Sequence, residues 1–139
     1  MKILATVSGV LILIVAAYLT YAQTVTNPRV VAELRNNPTG ERANRAMLVT
    51  LQNGQEYPVN YLHEGDQVFM GIDGRWWREF VGAGTPVTLF IKGKTYRGHA
   101  VTVLDQPEYT RDVFSRLRPT APTWLPDWLN GKLVVISLE

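Results

Sequence analysis

The richest set of ligand-binding side chains lies in the stretch GIDGRWWREF, residues 71–80. Arg75 and Arg78 are three positions apart, so on a helical turn both guanidinium groups can meet one phosphate. The adjacent indoles of Trp76 and Trp77 can form the wall of a site for a planar ring. Together these residue types predict a site for a phosphate-bearing aromatic cofactor.

The glycines of the same stretch extend this hypothesis. Gly71 and Gly74 permit the backbone to approach a ligand closely, and a helix that begins after them offers free N–H groups. The alternative interpretation is structural. Trp76 and Phe80 are four positions apart and can together plug the end of a barrel.

Conventional catalytic groups are sparse. The two histidines, His63 in a predicted turn and His99 in a predicted strand, have no partner at metal-ligand spacing, and the chain has no cysteine, so no metal site is expected. Ser115 and Ser137 lack the context of a nucleophile elbow. No catalytic side chain is therefore assigned, and any reaction would need a cofactor to carry it.

The elements that position these residues are mostly strands. Period-two alternation predicts six of them between Met47 and Leu138, with turns at Asn53-Gly54, at His63–Asp66 and at Gly93-Lys94. Pro58 removes one ladder donor, so its strand is expected to be an edge there or to carry a bulge. A mainly β fold with short helices, a small closed or split barrel, is the expected architecture.

Two amphipathic helices are also predicted. Asn27-Pro28 is a helix-start signal followed by an apolar stripe, and Gln106–Arg118 begins with a proline and places its apolar residues on one side. The Pro-rich segment between Thr120 and Leu129 is expected to be irregular.

The run Ile3–Ala22 has no charged residue and, at about 1.5 Å rise per residue, is long enough to cross the hydrocarbon core as one transmembrane helix. Tyr18 and Tyr21 fall where amphipathic rings favour the headgroup layer. The alternative is a cleaved signal peptide with its site near Thr20–Ala22. We favour a retained single-pass anchor.

The basic residues after the run are Arg29, Arg35, Arg42 and Arg45, against Lys2 before it. By the positive-inside rule, the folded domain is expected on the cytoplasmic side. The predicted division is an anchor over residues 1–24, a short helix and connector over 25–45, and a barrel domain over 46–139. The formal net charge of +2 is not concentrated on one face, so nucleic acid is not an expected partner.

The order of these signals resembles the deazaflavin-dependent nitroreductase family of the flavin-binding split-barrel group, which includes pyridoxamine-phosphate oxidases. The likeness rests on the Asn53-Gly54 hairpin, a strand ending in Asn60-Tyr61-Leu62, the Gly65-Asp66 turn, GxDGRWW, and the later hairpin IKGKTYRGHAV. It covers about half of the chain. It implies a six-stranded split β-barrel that binds a deazaflavin or FMN and pairs as a homodimer.

The resemblance also implies which residues line the site. They are Asn60, Tyr61, Asp73, Gly74, Arg75, Trp76, Trp77 and Arg78. The chain departs from the family in its first hairpin, where Gln52–Gln55 carries no Lys or Arg, so more of the phosphate anchoring would fall to Gly74 and the two arginines.

The function that follows is a membrane-anchored oxidoreductase. It would transfer a hydride from a reduced flavin or deazaflavin to a lipophilic acceptor, quinone-like or nitroaromatic. The alternative is a cofactor-free split-barrel module for interaction or scaffolding at the membrane. In either case, Trp124 and Trp128 are expected to belong to a dimer interface or to a second membrane contact.

Overall fold

The period-two segments form six strands in the computed structural model, which describes residues 2–21, 27–122, 124, 126 and 131–139. The strands are β1 (Ala46–Thr50), β2 (Glu56–Glu64), β3 (Gln67–Ile72), β4 (Thr85–Ile91), β5 (Lys94–Val103) and β6 (Lys132–Leu138). The α-helices are α1 (Lys2–Tyr21), α2 (Asn27–Asn36) and α3 (Pro107–Leu117), and two short 3-10 helices cover Glu41–Asn44 and Trp76–Phe80.

The six strands close into an antiparallel barrel in the order β1-β2-β3-β6-β5-β4. Three neighbouring pairs, β1–β2, β2–β3 and β4–β5, are hairpins that local turn signals predict. The last strand inserts between β3 and β5, and β1 pairs with β4 to close the cylinder. The expectation of a mainly β, six-stranded barrel with short helices is confirmed.

The core fills the inside of the barrel because alternate side chains of each strand point inward. Met47 and Val49 of β1 and Leu89 of β4 have no exposed surface, and Phe80 enters the same core from the Trp76–Phe80 helix. Burying a side chain of this size contributes about 1.5–3 kcal/mol. This core fixes which residues of each strand face inward.

Two helices cover parts of the outer surface. In α2, Leu34 packs with Leu48 and the half-buried Phe90 on the outside of β1 and β4. In α3, Phe114 packs with Phe69 and Leu133 on the outside of β3 and β6. Both predicted amphipathic helices are therefore confirmed.

The turns follow the sequence signals with two shifts. His63 and Glu64, predicted as part of the second turn, are the last residues of β2, so the second turn is Gly65-Asp66. Gly54 and Gly65 adopt positive φ angles of 85° and 62° at the first two turns. The third turn is Lys92-Gly93 instead of Gly93-Lys94, because Lys94 already pairs with Ile91 as the first residue of β5.

The position of Pro58 agrees with its missing donor. It lies opposite Leu48 in the β1–β2 ladder, whereas the β2–β3 ladder covers only Tyr61–Glu64. At Pro58, β2 therefore has a neighbouring strand on one side only, as the edge prediction requires.

Helix α1 precedes the barrel, and its side chains at Leu11, Ile12 and Leu13 are 61–70% exposed. Among the residues that the structure describes, no helix is both long enough and apolar enough to cross a membrane. Residues 22–24 of the predicted anchor lie outside the described residues, as do 123, 125 and 127–129 of the Pro-rich segment, which include Trp128. Trp124 is 78% exposed.

Candidate functional site

The eight residues predicted to line a site lie at two different ends of the barrel. Asn60 is opposite Ala46, the first residue of β1, and Tyr61 follows it. Residues 73–78 come after Ile72, where β3 ends opposite the first residue of β6. At the usual rise per strand residue, Tyr57 and Tyr61 of β2 are about 13 Å apart, and the two groups of predicted site residues are separated by a distance of this order. We call these the pocket end and the tryptophan end.

At the tryptophan end, Trp76 is packed between other rings. It stacks on Tyr57 with ring centroids 4.3 Å apart and an angle of 11°, and it meets Phe80 edge to face at 5.8 Å. Phe80 is fully buried, and Trp76 is half-buried against the barrel core. This is the arrangement that the plug interpretation predicts.

Two cationic side chains lie close to the ring of Trp77. The guanidinium carbon of Arg78 lies 5.5 Å from its ring centroid, and the ammonium nitrogen of Lys132 lies 5.7 Å from it. The carbonyl of Trp77 accepts a hydrogen bond from the hydroxyl of Thr102 at 2.6 Å, which ties the 3-10 helix to β5. Arg75 and Arg78 bracket one 3-10 turn, closed by a 3.2 Å backbone bond, and both are exposed.

The glycine-rich start of this stretch has a structural explanation. A Cβ on Gly71 would lie 2.6 Å from Cε1 of Phe114, so its missing side chain lets α3 dock on the barrel. Asp73 is paired with Arg118 beyond the end of α3, with 3.3 Å between Oδ1 and Nη1. A Cβ on Gly74 would lie 3.2 Å from Cδ1 of Trp76. The close approach that Gly71 permits is therefore the approach of α3, where a ligand had been predicted.

At the pocket end, a pocket of about 430 Å³ opens between β2 and the β4–β5 hairpin. Its lining is formed by Asn44, Tyr61, Leu62, His63, Ile91, Lys92, Lys94 and Tyr96. The volume is within the range of about 300–1,000 Å³ that small-molecule sites usually have. The lining includes two lysines and no carboxylate.

Tyr61 is the one predicted site residue that lines this pocket. Its hydroxyl donates a hydrogen bond to the carbonyl of Ala43 at 2.7 Å. Burial, and after it the neighbouring Tyr96, raises the pKa of the Tyr61 phenol above its usual value of 10.0. The group is therefore a neutral, positioned hydroxyl at neutral pH. Asn60, the next residue along β2, is exposed on the opposite face.

Aromatic and cationic groups meet in the pocket because of strand alternation. Tyr61 and His63 are two apart on β2, and Lys94 and Tyr96 are two apart on β5, so each pair shares a face. The rings of His63 and Tyr96 meet edge to face at 5.6 Å. His63 Nε2 lies 2.9 Å from the carbonyl oxygen of Gly65, which orients its ring.

Local sequence patterns did not predict a binding role for His63, Lys92, Lys94 or Tyr96. A signal for them existed in the Lys-Gly-Lys turn, which puts two cations at one hairpin tip, and in the alternation that carries Tyr96 inward beside it. Their proximity to β2 depends on barrel closure, which no local pattern shows. Among the described residues, no group of three or more acidic or histidine side chains could hold a metal ion.

The fold and this pocket define the molecule as a six-stranded antiparallel barrel with a basic, aromatic pocket at one end. No protein-family model matches the chain, and no curated protein is similar enough to it to count as a match. The residues of the chain itself are therefore what indicates its function.

Proposed function

We propose that the chain is a membrane-anchored oxidoreductase that uses a reduced flavin or deazaflavin to reduce a lipophilic, quinone-like or nitroaromatic acceptor. The observation that carries the proposal is the pocket at which Tyr61 and Tyr96 meet Lys92 and Lys94. A phosphate-bearing ring system needs an aromatic wall for its ring and cations for its phosphate. The residues that line this pocket supply both.

The residues of the pocket have distinct tasks under this proposal. The rings of Tyr61 and Tyr96 provide the apolar wall, and the ammonium groups of Lys92 and Lys94 hold the anionic group. The hydrogen bond from Tyr61 to Ala43 keeps one wall in place before any ligand arrives. When bound, the cofactor supplies the hydride chemistry, and the chain supplies position and charge.

We also propose that the barrel is of the split type. The support is the short ladder between β1 and β4, which pairs only Leu48–Thr50 with Thr88–Phe90. Towards the pocket end, Ala46 and Met47 pair with β2 and have no partner in β4. Beside the pocket, the β1–β4 ladder therefore ends before β1 does, which is the feature that a split barrel would have.

A single-pass anchor with the domain on the cytoplasmic side is part of the proposal. The support is the uncharged run of residues 3–22 and its arginine-rich C-terminal flank. Arg35 is paired with Glu56 and Arg42 with Glu33, but acidic residues count for little in the positive-inside rule. Protease digestion of intact spheroplasts tests the orientation, because cleavage of the domain from outside would contradict it.

The cofactor proposal is tested by titrating the detergent-solubilised full chain with FMN and with a deazaflavin, following fluorescence. We expect binding that the Lys92→Gln/Lys94→Gln double variant weakens strongly. Arg97→Gln is the matched control, since Arg97 is exposed on the opposite face of β5 to Tyr96. Oxidation of the reduced cofactor is then followed with menadione and with a nitroaromatic acceptor.

Two outcomes of this titration would change the conclusion. Loss of binding in Arg75→Gln/Arg78→Gln, with binding retained in the lysine double variant, would move the site to the tryptophan end. No binding of either cofactor at about 100 μM, a concentration well above a useful cofactor affinity, would exclude the reductase.

The second candidate is a cofactor-free barrel that serves as an interaction or scaffolding module at the membrane. It is favoured by the stacking of Trp76 on Tyr57, which uses a ring predicted to hold a cofactor to close the barrel instead. The homodimer implied by the resemblance stays a prediction for both candidates. Sedimentation equilibrium of the detergent-solubilised chain measures it.

A further inference from the structure

The β4–β5 turn contains an unusual backbone conformation. Lys92 has φ = 49° and Gly93 has φ = 81°, which is the pattern of a two-residue type I′ hairpin turn. Lys92 is the one non-glycine residue with positive φ in the part of the chain that the structure describes. The left-handed region is unfavourable for a residue with a Cβ.

The turn itself does not call for a lysine. The first position of a type I′ turn favours Asn, Asp or Gly, because these residues adopt the left-handed conformation at lower cost. The neighbouring Gly93 is the residue that packs closely. A Cβ on Gly93 would lie 3.4 Å from Cβ of Pro38, so the turn lies against the connector before β1. A glycine at 92 would satisfy the backbone better than the residue that is present.

The side chain of Lys92 has a use in the pocket. Lys92 and Lys94 flank Gly93, and both line the pocket with His63 and Tyr96. Among the described residues, none that lines the pocket is a carboxylate that could neutralise the two ammonium groups. Residues held in sparsely populated backbone regions are concentrated at ligand-binding positions.

We infer that Lys92 is held in the left-handed conformation in order to present its ammonium group, together with that of Lys94, to a phosphate group of the pocket's ligand. A phosphate monoester carries about −1.5 to −2 charge at neutral pH, which two ammonium groups match. The inference rests on the proposed function in taking the same pocket as the cofactor site. It makes the β4–β5 turn the element that selects phosphorylated ligands.

The test uses the full chain in detergent and two flavins that share one ring, FMN with a phosphate and riboflavin without. We expect the wild-type chain to bind FMN at least tenfold more tightly than riboflavin. Lys92→Gln removes the charge and keeps the strained conformation, whereas Lys92→Gly removes both. Both variants are expected to lose the preference for FMN, and only Lys92→Gly is expected to raise the melting temperature.

Inorganic pyrophosphate provides a second probe that is independent of the flavin ring. At constant ionic strength, millimolar pyrophosphate should raise the melting temperature of the wild-type chain and of Arg97→Gln, and not that of Lys92→Gln. Because Arg97 is exposed on the opposite face of β5 to Tyr96, this control separates binding in the pocket from a general effect of charge.

The outcomes separate the inference from the proposed function. If pyrophosphate binds through Lys92 and neither flavin binds, the phosphate site stands and the reductase fails. If both flavins bind equally and Lys92→Gln changes neither affinity, the cofactor proposal stands and the inference is overturned. A melting-temperature shift with pyrophosphate that is the same in Lys92→Gln as in the wild type would also overturn it.

Discussion

Replacing Trp76 with alanine separates the two roles that its ring can have. Removing a buried aromatic side chain costs about 3–5 kcal/mol, and because Trp76 is half-buried we expect about 3 kcal/mol. The stacking on Tyr57 should account for about 0.5–1.5 kcal/mol of that loss, as aromatic pairs usually do. Cofactor binding should be unchanged, because the pocket lies at the other end of the barrel.

The free energy of unfolding is measured by guanidinium titration of the detergent-solubilised chain, followed by far-ultraviolet circular dichroism. Trp77→Ala is the matched control, since Trp77 is also half-buried against the barrel core and its ring has cation–π contacts with Arg78 and Lys132 where Trp76 has aromatic ones. We expect it to cost less than Trp76→Ala, because its two exposed cation–π contacts contribute about 0.5–1 kcal/mol each, whereas the two aromatic contacts of Trp76 contribute about 0.5–1.5 kcal/mol each.

A double-mutant cycle isolates the stacking term. Tyr57→Ala, Trp76→Ala and the double variant together give the coupling free energy between the two rings. A coupling near zero would show that the stack does not stabilise the barrel. A Trp76→Ala chain that keeps its stability and loses FMN would refute the plug interpretation and assign the ring to a cofactor site.

Two other changes test the contacts of the barrel. Gly71→Ala should lower the free energy of unfolding by about 1–3 kcal/mol, measured by the same titration, because its Cβ would lie 2.6 Å from Cε1 of Phe114. Tyr61→Phe should cost about 0.5–1.5 kcal/mol through the lost hydrogen bond to Ala43. Because the pKa of Tyr61 is raised on folding, the wild-type free energy of unfolding should fall as pH rises above 10.0, and Tyr61→Phe should show a smaller fall when unfolding is measured across that range.

Each of these two changes has its own control. Phe114→Leu should cost less stability in the Gly71→Ala background than in the wild type, since the smaller side chain vacates the space that the new methyl group needs. An additive result would show that the two residues do not compete for space. For Tyr61, an alkaline decline of equal size in the wild type and in the phenylalanine variant would show that other groups cause it.

The strands and their turns were predictable because they are local. The inward residues Met47 and Val49 alternate with outward neighbours, and Asn53-Gly54 is a turn signal that needs no tertiary context. The predicted position of the β4–β5 turn was wrong by one residue, also because the prediction used local signals only. Lys92 is a poor former of left-handed turns, so the pattern placed the turn on the residues after it.

The site was less predictable because its parts meet through closure of the barrel. Tyr57 comes from the first hairpin and covers Trp76 from a later segment, and no local spacing shows that contact. In the same way, Gly71 suggested room for a ligand, and the room is taken by Phe114 of α3. Tyr61 was the exception, since its inward direction on β2 could be read from alternation alone.

The short ladder between β1 and β4 has a consequence for local opening. It has three residue pairs, whereas the β4–β5 ladder has seven and the β3–β6 ladder has six. Backbone amide protons along such a seam exchange with solvent more readily than those of long ladders, because fewer bonds must break together. A ligand held by Lys92 on one side of the parting strands and by Tyr61 on the other would join parts of the wall that the backbone leaves apart. Ligand binding in the pocket and local opening between β1 and β4 would then be thermodynamically coupled.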